Sequence, residues 1–264
     1  MHRVGLITAG LGSDELIAAG KRVEKAACKF GILSFVKVFS DSELGVFAPR
    51  VFEKYKKVLN AQTKGFGYFA WKPELILSTL RNLDWNLDLV IWVDAGCEMN
   101  PNPISKTKFN FQIKAALKKG YFFYDLDYPE ERYTKRDVLE KFPKAYGKTR
   151  QIQATYFMVS KSHVKLIEMW TDYVLEDLHN IDLSPSLKEE SKAFVEHRFD
   201  QSLLSLLVKS QGLSTSPLRP CGGVNSVRSA IRGLIEPVWT IRNRTGESLI
   251  KDQISSAFMN LKRK

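Results

Sequence analysis

The sequence is poor in cysteine and has no long apolar run. Its three cysteines, Cys28, Cys97 and Cys221, lie far apart without a Cys-x-x-Cys pair, which argues against a zinc ribbon or a disulfide framework and suits a reducing cytoplasm. No stretch approaches about 18 consecutive apolar residues, so no transmembrane helix is expected. The N-terminus has one basic residue and a short apolar run, and it is predicted to form a first strand rather than a secretory signal.

Acidic residues are too few to balance the basic ones. Asp and Glu number 29 against 40 Lys and Arg, which gives a net charge of +11. Such an excess is typical of proteins that meet polyanions: nucleic acid, anionic lipid head groups or phosphorylated small molecules. The turn TAGLGSDE after the first predicted strand lacks the full Gly-x-Gly-x-x-Gly pattern, so a dinucleotide-binding dehydrogenase is not expected.

The sequence does contain an alternation of strand and helix patterns. Its 264 residues, 44% of them hydrophobic, suffice for one substantial core. Strands are predicted at residues 4–8, 32–39, 87–93, 121–124 and 154–159. Helices are predicted at residues 14–30, 49–59, 74–83, 113–119, 136–142, 164–178 and 196–208, and a glycine and aromatic loop at 65–69. The alternation favours an α/β fold whose sheet has parallel strands.

The C-terminal part of the chain changes character. It gathers arginines at positions 219, 228, 232, 242 and 244, a Cys221-Gly222-Gly223 turn and a Lys-Arg-Lys end. We therefore predict a main domain over residues 1–215 and a basic extension over residues 216–264 that packs on it.

Asp94 follows the most hydrophobic predicted strand, at the sheet edge where ligands collect in α/β proteins. Its small neighbours Ala95 and Gly96 leave room for a phosphate-bearing ligand and a divalent cation, which takes carboxylate and phosphate oxygens. In the alternative interpretation, Asp94 is only the polar residue that ends a strand. A second candidate metal pair is Asp125 and Asp127 in YDLDYP.

Lys72 lies at the start of the helix that leads into the Asp94 strand, in the segment KGFGYFAWKP. A helix packed antiparallel to its strand returns its own start to the end of that strand, so we expect Lys72 near Asp94. A lysine at a helix start, where backbone N–H groups point outward, suits a diphosphate. The alternative is that the aromatic residues only fill the core and that Lys72 is solvated.

Two polar clusters could complete a site. In TKRD, Lys135 and Arg136 could stabilise a developing negative charge, or the motif could be an exposed charge run with Thr134 as helix cap. In EHRFDQS, Asp200 or Glu196 could accept a proton from a hydroxyl group. The alternative for the second motif is a helix start enriched in acids that favour the helix dipole.

The order of these motifs resembles a group of bacterial and viral glycosyltransferases, similar to the GT-A class, that occur in capsule and surface-polysaccharide gene sets. The motifs are Ala9-Gly10, GFGYFAWKP, VIWVDAG, TKRD and EHRFDQSLLSLL, and they span residues 1–210. The resemblance implies a single Rossmann-related mixed sheet flanked by helices, with residues 1–215 as the catalytic domain. It implies transfer of a sugar, expected to be a hexose, from a nucleotide-diphosphate sugar, with UDP-sugar as the expected donor, to a glycan or lipid-linked saccharide.

The resemblance also implies roles for individual residues. The expected nucleotide-sugar-binding residues are Thr8, Ala9, Gly10, Asp41, Lys72, Asp94, Ala95, Gly96 and Lys135. The expected catalytic residues are Glu196, Asp200, Gln201 and Arg136. Gly96 stands where the family has a second metal-binding acid, so Glu98 or His197 is considered as the second ligand beside Asp94, with Mn²⁺ or Mg²⁺ as the expected ion and the metal requirement left open.

Two other functions remain open from the sequence. A nucleic-acid-binding domain would use the net charge, but the cations are spread along the chain and those of the extension lack the interleaved aromatic residues of single-strand binders. A nucleotidyltransferase on a related sheet would release pyrophosphate. We expect the glycosyltransferase, without a nucleic-acid partner, in the cytoplasm, where the basic extension could hold it at an anionic membrane.

Overall fold

The computed structural model describes residues 2–218, 233–248 and 250. The predicted Cys221-Gly222-Gly223 turn, Arg219, Arg228, Arg232 and the Lys-Arg-Lys end lie outside the described residues. Within the described ranges, no helix combines the length and the apolar character needed to cross a membrane.

Strands and helices alternate along most of the described chain. The strands are β1 (Val4–Ala9), β2 (Phe35–Phe39), β3 (Leu89–Val93), β4 (Glu98–Met99), β5 (Tyr121–Phe122), β6 (Tyr124–Pro129), β7 (Arg150–Ile152), β8 (Tyr156–Ser160), β9 (Ser216–Pro217) and β10 (Val238–Trp239). The helices are α1 (Asp14–Cys28), α2 (Leu44–Phe47), α3 (Pro49–Tyr55), α4 (Trp71–Arg81), α5 (Pro103–Lys119), α6 (Arg136–Leu139), α7 (Val164–Glu176) and α8 (Phe199–Ser210). Gly65–Tyr68 forms one further short turn.

The central sheet has five strands in the order β2-β1-β3-β8-β5. Strand β1 is parallel to both β2 and β3, whereas β8 is antiparallel to β3 and to β5. This mixed sheet with flanking helices confirms the predicted α/β class. It also confirms the mixed sheet that the family resemblance implies, with the predicted parallel strands at β1, β2 and β3. Strand β8 is antiparallel because the chain enters it directly from β7 of a second sheet, without a crossover helix.

Helices cover both faces of the sheet, as the alternation along β3 shows. Val90 and Trp92 pack in one apolar cluster with residues of α4, α7 and α8, whereas Leu89, Ile91 and Val93 pack in another with residues of α1 and α5. Successive side chains of a strand point to opposite faces, so an uninterrupted apolar strand requires a cover on each side. The five residues of β3 are all buried, and the strand therefore holds the residue that follows it, Asp94, in a fixed place.

The described part of the C-terminal extension pairs with the chain just beyond Asp94. Strand β10 is antiparallel to β4, with Val238 opposite Met99 and Trp239 opposite Glu98. The Trp239 ring is fully buried, and its Nε1 donates to the Gly233 carbonyl at 2.9 Å. Residues 233–248 therefore lie against the carboxyl edge of the central sheet.

Candidate active site

A cleft of about 660 Å³ opens where β1 and β3 end. Its walls come from distant parts of the chain: the ends of these two strands, the turn before α4, the start of α8 and residues 240–244. Carboxyl ends of sheet strands are the usual ligand site of α/β folds, and the cleft lies at that edge.

The floor of the cleft holds a buried lysine between two carboxylates. The Lys72 Nζ lies 3.1 Å from Asp94 Oδ1 and 2.7 Å from Asp200 Oδ2, and the Lys72 side chain is only 2% exposed. The expected proximity of Lys72 and Asp94 is thus confirmed, because α4 returns its start to the end of β3. The alternative of a solvated Lys72 is wrong, since both neighbouring carboxylates hold the ammonium group.

The electrostatics of this cluster follow from burial. Burial raises the pKa of Asp200 to about 6, against the attraction of Lys72 and with the added repulsion of Asp94. Burial alone would lower the pKa of Lys72, but the carboxylates of Asp200 and Asp94 raise it above its ordinary value. Lys72 therefore stays charged. Asp94 is held at Oδ1 by the Trp92 indole N–H at 2.7 Å, while about a third of its side chain stays open to solvent.

One wall is a left-handed turn over residues 65–69. Gly65, Phe66, Gly67, Tyr68 and Phe69 all have positive φ, from 53° to 90°. This conformation costs about 1–2 kcal/mol for each residue other than glycine. A turn of this kind persists only where its surroundings over-determine it.

Aromatic packing supplies that support. The Tyr68 ring stacks on the Phe199 ring at a centroid distance of 6.0 Å, the Phe69 ring lies at the same distance from Phe199, and the Trp71 Nε1 donates to the Gly65 carbonyl at 3.1 Å. Phe199 itself has a φ of 49°. The turn and the start of α8 therefore hold each other, and together they fix Asp200 against Lys72.

The start of α8 lines the cleft with polar groups. The Arg198 guanidinium lies 3.6 Å from the centre of the Tyr133 ring, and its Nε is 3.6 Å from Glu196 Oε1. Gln201 is held by two contacts, because its Oε1 accepts from the Ala154 N–H at 3.3 Å and its Nε2 donates to Gln151 Oε1 at 2.8 Å. Glu196, Asp200 and Gln201 are thus brought to the cleft, as predicted, although Glu196 precedes the helix rather than beginning it.

Further cations come from the C-terminal segment 240–244, which the sequence interpretation did not connect with the site. Arg242 and Arg244 line the cleft and are exposed. The Asn243 N–H donates to the Gly96 carbonyl at 2.9 Å, which places the segment directly on Gly96. The only sequence signal for this was the count of arginines in the extension, which gives no position.

The residues predicted at the end of β1 divide between the cleft and the core. Ala9 lines the cleft, as do Ala95 and Gly96 at the end of β3, whereas Thr8 is fully buried. A Cβ at Gly10 would lie 2.4 Å from the Leu16 carbonyl oxygen, so this glycine allows α1 to approach β1. Asp41 accepts from the Gly12 N–H at 3.0 Å and thereby shapes the rim of the cleft.

Lys135 and Arg136 do not line the cleft. The Lys135 ammonium is buried, with Asp182 Oδ1 at 2.7 Å and the His179 carbonyl oxygen at 2.8 Å. Arg136 pairs with Glu140, the residue directly after α6, at 2.6 Å. The expected roles of both residues at a phosphate therefore do not fit their positions. Thr134 caps no helix, because its hydroxyl donates to the buried Glu130 carboxylate.

His197 is also turned away from the cleft. Its Nδ1 accepts from the Lys135 N–H at 3.2 Å, and its Nε2 lies 3.0 Å from the Asn180 carbonyl oxygen, to which it donates. Burial lowers the pKa of His197 to about 3, and the nearby Lys135 charge acts in the same direction. Both ring nitrogens are occupied, so His197 does not fit the expected role of metal ligand.

The other acids considered for a metal are committed elsewhere. Glu98 is buried and accepts from Asn243 Nδ2 at 2.6 Å and from the Ser248 hydroxyl at 2.5 Å. Asp125 and Asp127 both pair with Arg150, at 3.2 and 3.1 Å. In the part of the chain that the structure describes, no group of three or more His, Cys, Asp or Glu side chains is arranged to hold a metal ion. Near Asp94, the Lys72 ammonium group lies between the carboxylates of Asp94 and Asp200, and this pair therefore does not fit a divalent cation.

Comparison with known proteins gives distant structural similarity only. No protein-family model matches the chain, and no curated protein sequence matches it. The fold is similar to a glycosyltransferase involved in glycosylation of the major capsid of PBCV-1, with 10% identity, coverage of 97% of this chain and 99% of that one, and a TM-score of 0.45. It is also similar to mouse xyloside xylosyltransferase 1, with 12% identity, coverage of 82% and 84%, and a TM-score of 0.42. At these values the similarity does not establish a function.

Proposed function

We propose that the protein is a glycosyltransferase that moves a sugar from a nucleotide-diphosphate sugar to a carbohydrate acceptor. The observation that carries the proposal is the rigid group of Lys72, Asp94 and Asp200 on the floor of a cleft with a cationic mouth. Fixed carboxylates accept hydrogen bonds from sugar hydroxyls, and arginine guanidinium groups bind phosphate oxygens in pairs.

The size and lining of the cleft suit such a donor. Its volume of about 660 Å³ falls within the roughly 300–1,000 Å³ typical of small-molecule sites. Phe66 and Tyr128 line its wall, and aromatic rings are groups on which a nucleobase stacks. Lys64 and Arg198 add positive charge near these rings.

Sugar transfer breaks the bond between the sugar C1 and the diphosphate oxygen and forms a bond from C1 to an acceptor oxygen. The acceptor hydroxyl loses a proton, and the leaving diphosphate gains negative charge that the cations at the mouth stabilise. Glu196 is the better placed proton acceptor, because nearly half of its side chain is exposed at the cleft. Asp200 is buried against Lys72 and orients that lysine.

The finer assignments follow the family resemblance. We propose a UDP-hexose as donor and a glycan or lipid-linked saccharide as acceptor, in the cytoplasm. The basic extension would hold the enzyme at an anionic membrane, and its many arginine and lysine residues support this part of the proposal. Co-sedimentation with anionic vesicles that is unchanged by neutralising the extension would contradict the membrane attachment.

The test is a screen of sugar nucleotides by calorimetry and by product analysis. We expect UDP- or GDP-sugars to bind and to release the nucleoside diphosphate when a saccharide acceptor is present, with CMP-sugars, which carry one phosphate, as the weaker control. Release of pyrophosphate would identify a nucleotidyltransferase. Failure of every sugar nucleotide to bind the folded protein, together with a salt-dependent shift of nucleic acid, would favour the nucleic-acid-binding alternative.

A further inference from the structure

We propose that the protein binds the diphosphate of its donor without a divalent cation, and that Arg242 and Arg244 neutralise the charge that a metal would otherwise neutralise. The inference rests on the proposed function, because it takes a nucleoside diphosphate as the ligand. It concerns the same cleft and assigns binding of the diphosphate to two residues that lie outside the motifs of the main domain.

The first observation is the position of Lys72. Its ammonium group lies between Asp94 and Asp200, within 3.1 Å of one carboxylate and 2.7 Å of the other. A divalent cation bound by these carboxylates would have to displace the ammonium group or lie directly beside it, where the two positive charges repel each other. The lysine is 2% exposed, and its two ion pairs hold the ammonium group between the carboxylates.

The second observation is what occupies the place of the missing acid. A Cβ at Gly96 would lie 3.7 Å from the Ile241 carbonyl oxygen and 3.9 Å from the Asn243 carbonyl oxygen. A carboxylate built on that Cβ would face two partial negative charges. The C-terminal segment therefore lies in van der Waals contact with the position from which a second acid would reach a metal.

The third observation is the anchoring of that segment. The buried Arg22 guanidinium donates through Nη2 to the carbonyl oxygens of Ala95, Cys97 and Asn243 at 3.0, 2.8 and 3.1 Å. One side chain thus ties the end of β3 to the segment that carries Arg242 and Arg244. Their backbone is fixed before any ligand arrives, which lowers the entropic cost of binding.

The fourth observation is the state of the two arginines. Both line the cleft and are exposed, and neither forms an ion pair with any residue that the structure describes. Two guanidinium groups offer two positive charges to a diphosphate, together with paired N–H donors that match its oxygens. They supply at the mouth the charge that a metal would supply at the floor.

The main experiment measures UDP binding to the full chain by calorimetry, once with EDTA and once with Mn²⁺. We expect dissociation constants that agree within about twofold in the two buffers. The double variant Arg242→Gln/Arg244→Gln is expected to weaken binding by at least about tenfold in both buffers. The matched control, Lys21→Gln/Lys25→Gln, removes two exposed charges from α1 outside the cleft and should bind as the parent does.

A second measurement asks about the metal directly. Titration of Mn²⁺ alone is expected to show no binding at the cleft of the parent protein. Lys72→Met, which frees both carboxylates, is expected to gain Mn²⁺ binding, and its thermal unfolding is followed in parallel. If that variant does not fold, the parent titration still decides the question.

The outcomes separate the two proposals. UDP binding that requires Mn²⁺, or Mn²⁺ binding by the parent at the cleft, would overturn the metal-free site and leave the glycosyltransferase intact. UDP binding in EDTA that survives loss of both arginines would overturn their assignment. No binding of any nucleoside diphosphate in either buffer would overturn the proposed function itself.

Discussion

Lys72 and Lys135 have closely similar surroundings at the atomic level and very different positions in the fold. Each side chain is 2% exposed, and each lysine lies at the start of a helix. Each ammonium nitrogen lies 2.7 Å from an aspartate oxygen, that of Asp200 for Lys72 and that of Asp182 for Lys135. Lys72 lies at the carboxyl edge of the central sheet and lines the cleft. Lys135 instead binds the His179 carbonyl and the Ser184 hydroxyl and so closes a polar loop over residues 177–190.

The difference shows what a charged motif at a helix start can and cannot indicate. WKP and TKRD both predict a lysine that needs an acidic partner once it is buried. Only the position of the helix relative to the sheet decides whether that ion pair faces a ligand. A buried ion pair that faces none serves as a structural contact, whose net contribution to stability is small even though loss of one partner is costly.

The largest difference between the Lys72 and Lys135 clusters is expected when one aspartate of each is neutralised, by Asp94→Asn in the first and by Asp182→Asn in the second. Loss of the Asp94 charge should lower the turnover number for sugar transfer about 100- to 1,000-fold, because a preorganised charge on the cleft floor is removed. Asp182→Asn should lower the free energy of unfolding and leave turnover of the folded protein within about twofold. Nucleoside diphosphate release and urea unfolding measure the two effects. Equal losses of turnover would mean that the clusters do not differ in function.

The next largest effect is expected in the pH dependence of stability, to which Asp200 and His197 contribute with opposite signs. The pKa of Asp200 is raised from 3.8 to about 6, so its contribution to stability is present below the unfolded value and is lost as the pH rises through about 6. The pKa of His197 is lowered from 6.5 to about 3, so its contribution is present above the unfolded value and is lost as the pH falls towards 3. Shifts of this size correspond to roughly 3–5 kcal/mol.

The variants Asp200→Asn and His197→Gln test these signs. Between about pH 4 and 6, the free energy of unfolding should rise more steeply with pH in Asp200→Asn than in the parent, because a term of negative slope is gone. It should rise less steeply in His197→Gln. Urea unfolding at several pH values gives the slopes, and slopes that change in the same direction in both variants would contradict the assignment.

A smaller effect is expected from the left-handed turn, which supports only the cleft cluster. Gly67 has a φ of 90°, and a Cβ there would lie 2.6 Å from the Leu59 Cδ2, whereas Gly212, with a φ of 64°, has nothing within 4 Å of its Cβ position. Gly67→Ala should cost about 1–3 kcal/mol of stability and weaken donor binding. Gly212→Ala, the matched control, should cost about 1 kcal/mol and leave donor binding unchanged. Donor affinity that survives Gly67→Ala would separate the turn from the cleft.

The smallest effect is expected from Arg136→Gln. Arg136 belongs to TKRD but forms a surface pair with Glu140, and such pairs contribute little. Turnover should stay within about twofold, and the melting temperature within about 2 °C. Arg198→Gln, which changes a cation at the cleft, should instead weaken donor binding. A large loss of turnover in Arg136→Gln would restore the role expected from its motif.

The sequence predicts the fold class and the proximity of Lys72 and Asp94 well, because both follow from strong local patterns. An apolar strand such as β3 needs cover on both faces, and a helix that precedes it must start near its end. The start of α5 was missed by ten residues, although Asn102 and Pro103 are a standard N-terminal signal that the sequence displays.

The direction in which each side chain of a short motif points could not be predicted from such local patterns. EHRFDQS was interpreted as one helix start, but the positive φ of Phe199 redirects the chain, so that Asp200 faces Lys72 while His197 faces Lys135. No periodic pattern encodes that turn. The sequence places Arg242 in the basic extension but not at the cleft, because the position of its segment depends on pairing with the two-residue strand β4. So short a pairing leaves no pattern in the sequence.

Because β10 pairs with β4, the cleft is complete only after the segment that follows β10 has been synthesised. The last strand of the central sheet along the chain, β8, ends at Ser160, whereas Arg242 and Arg244 are synthesised later. Until this segment emerges, Gly96 lacks its contact with Asn243, and Arg22 lacks two of its acceptors, the carbonyl oxygens of Asn243 and Thr245. A translation product that stops before residue 233 would lack Arg242 and Arg244, and with them two of the cations that line the cleft.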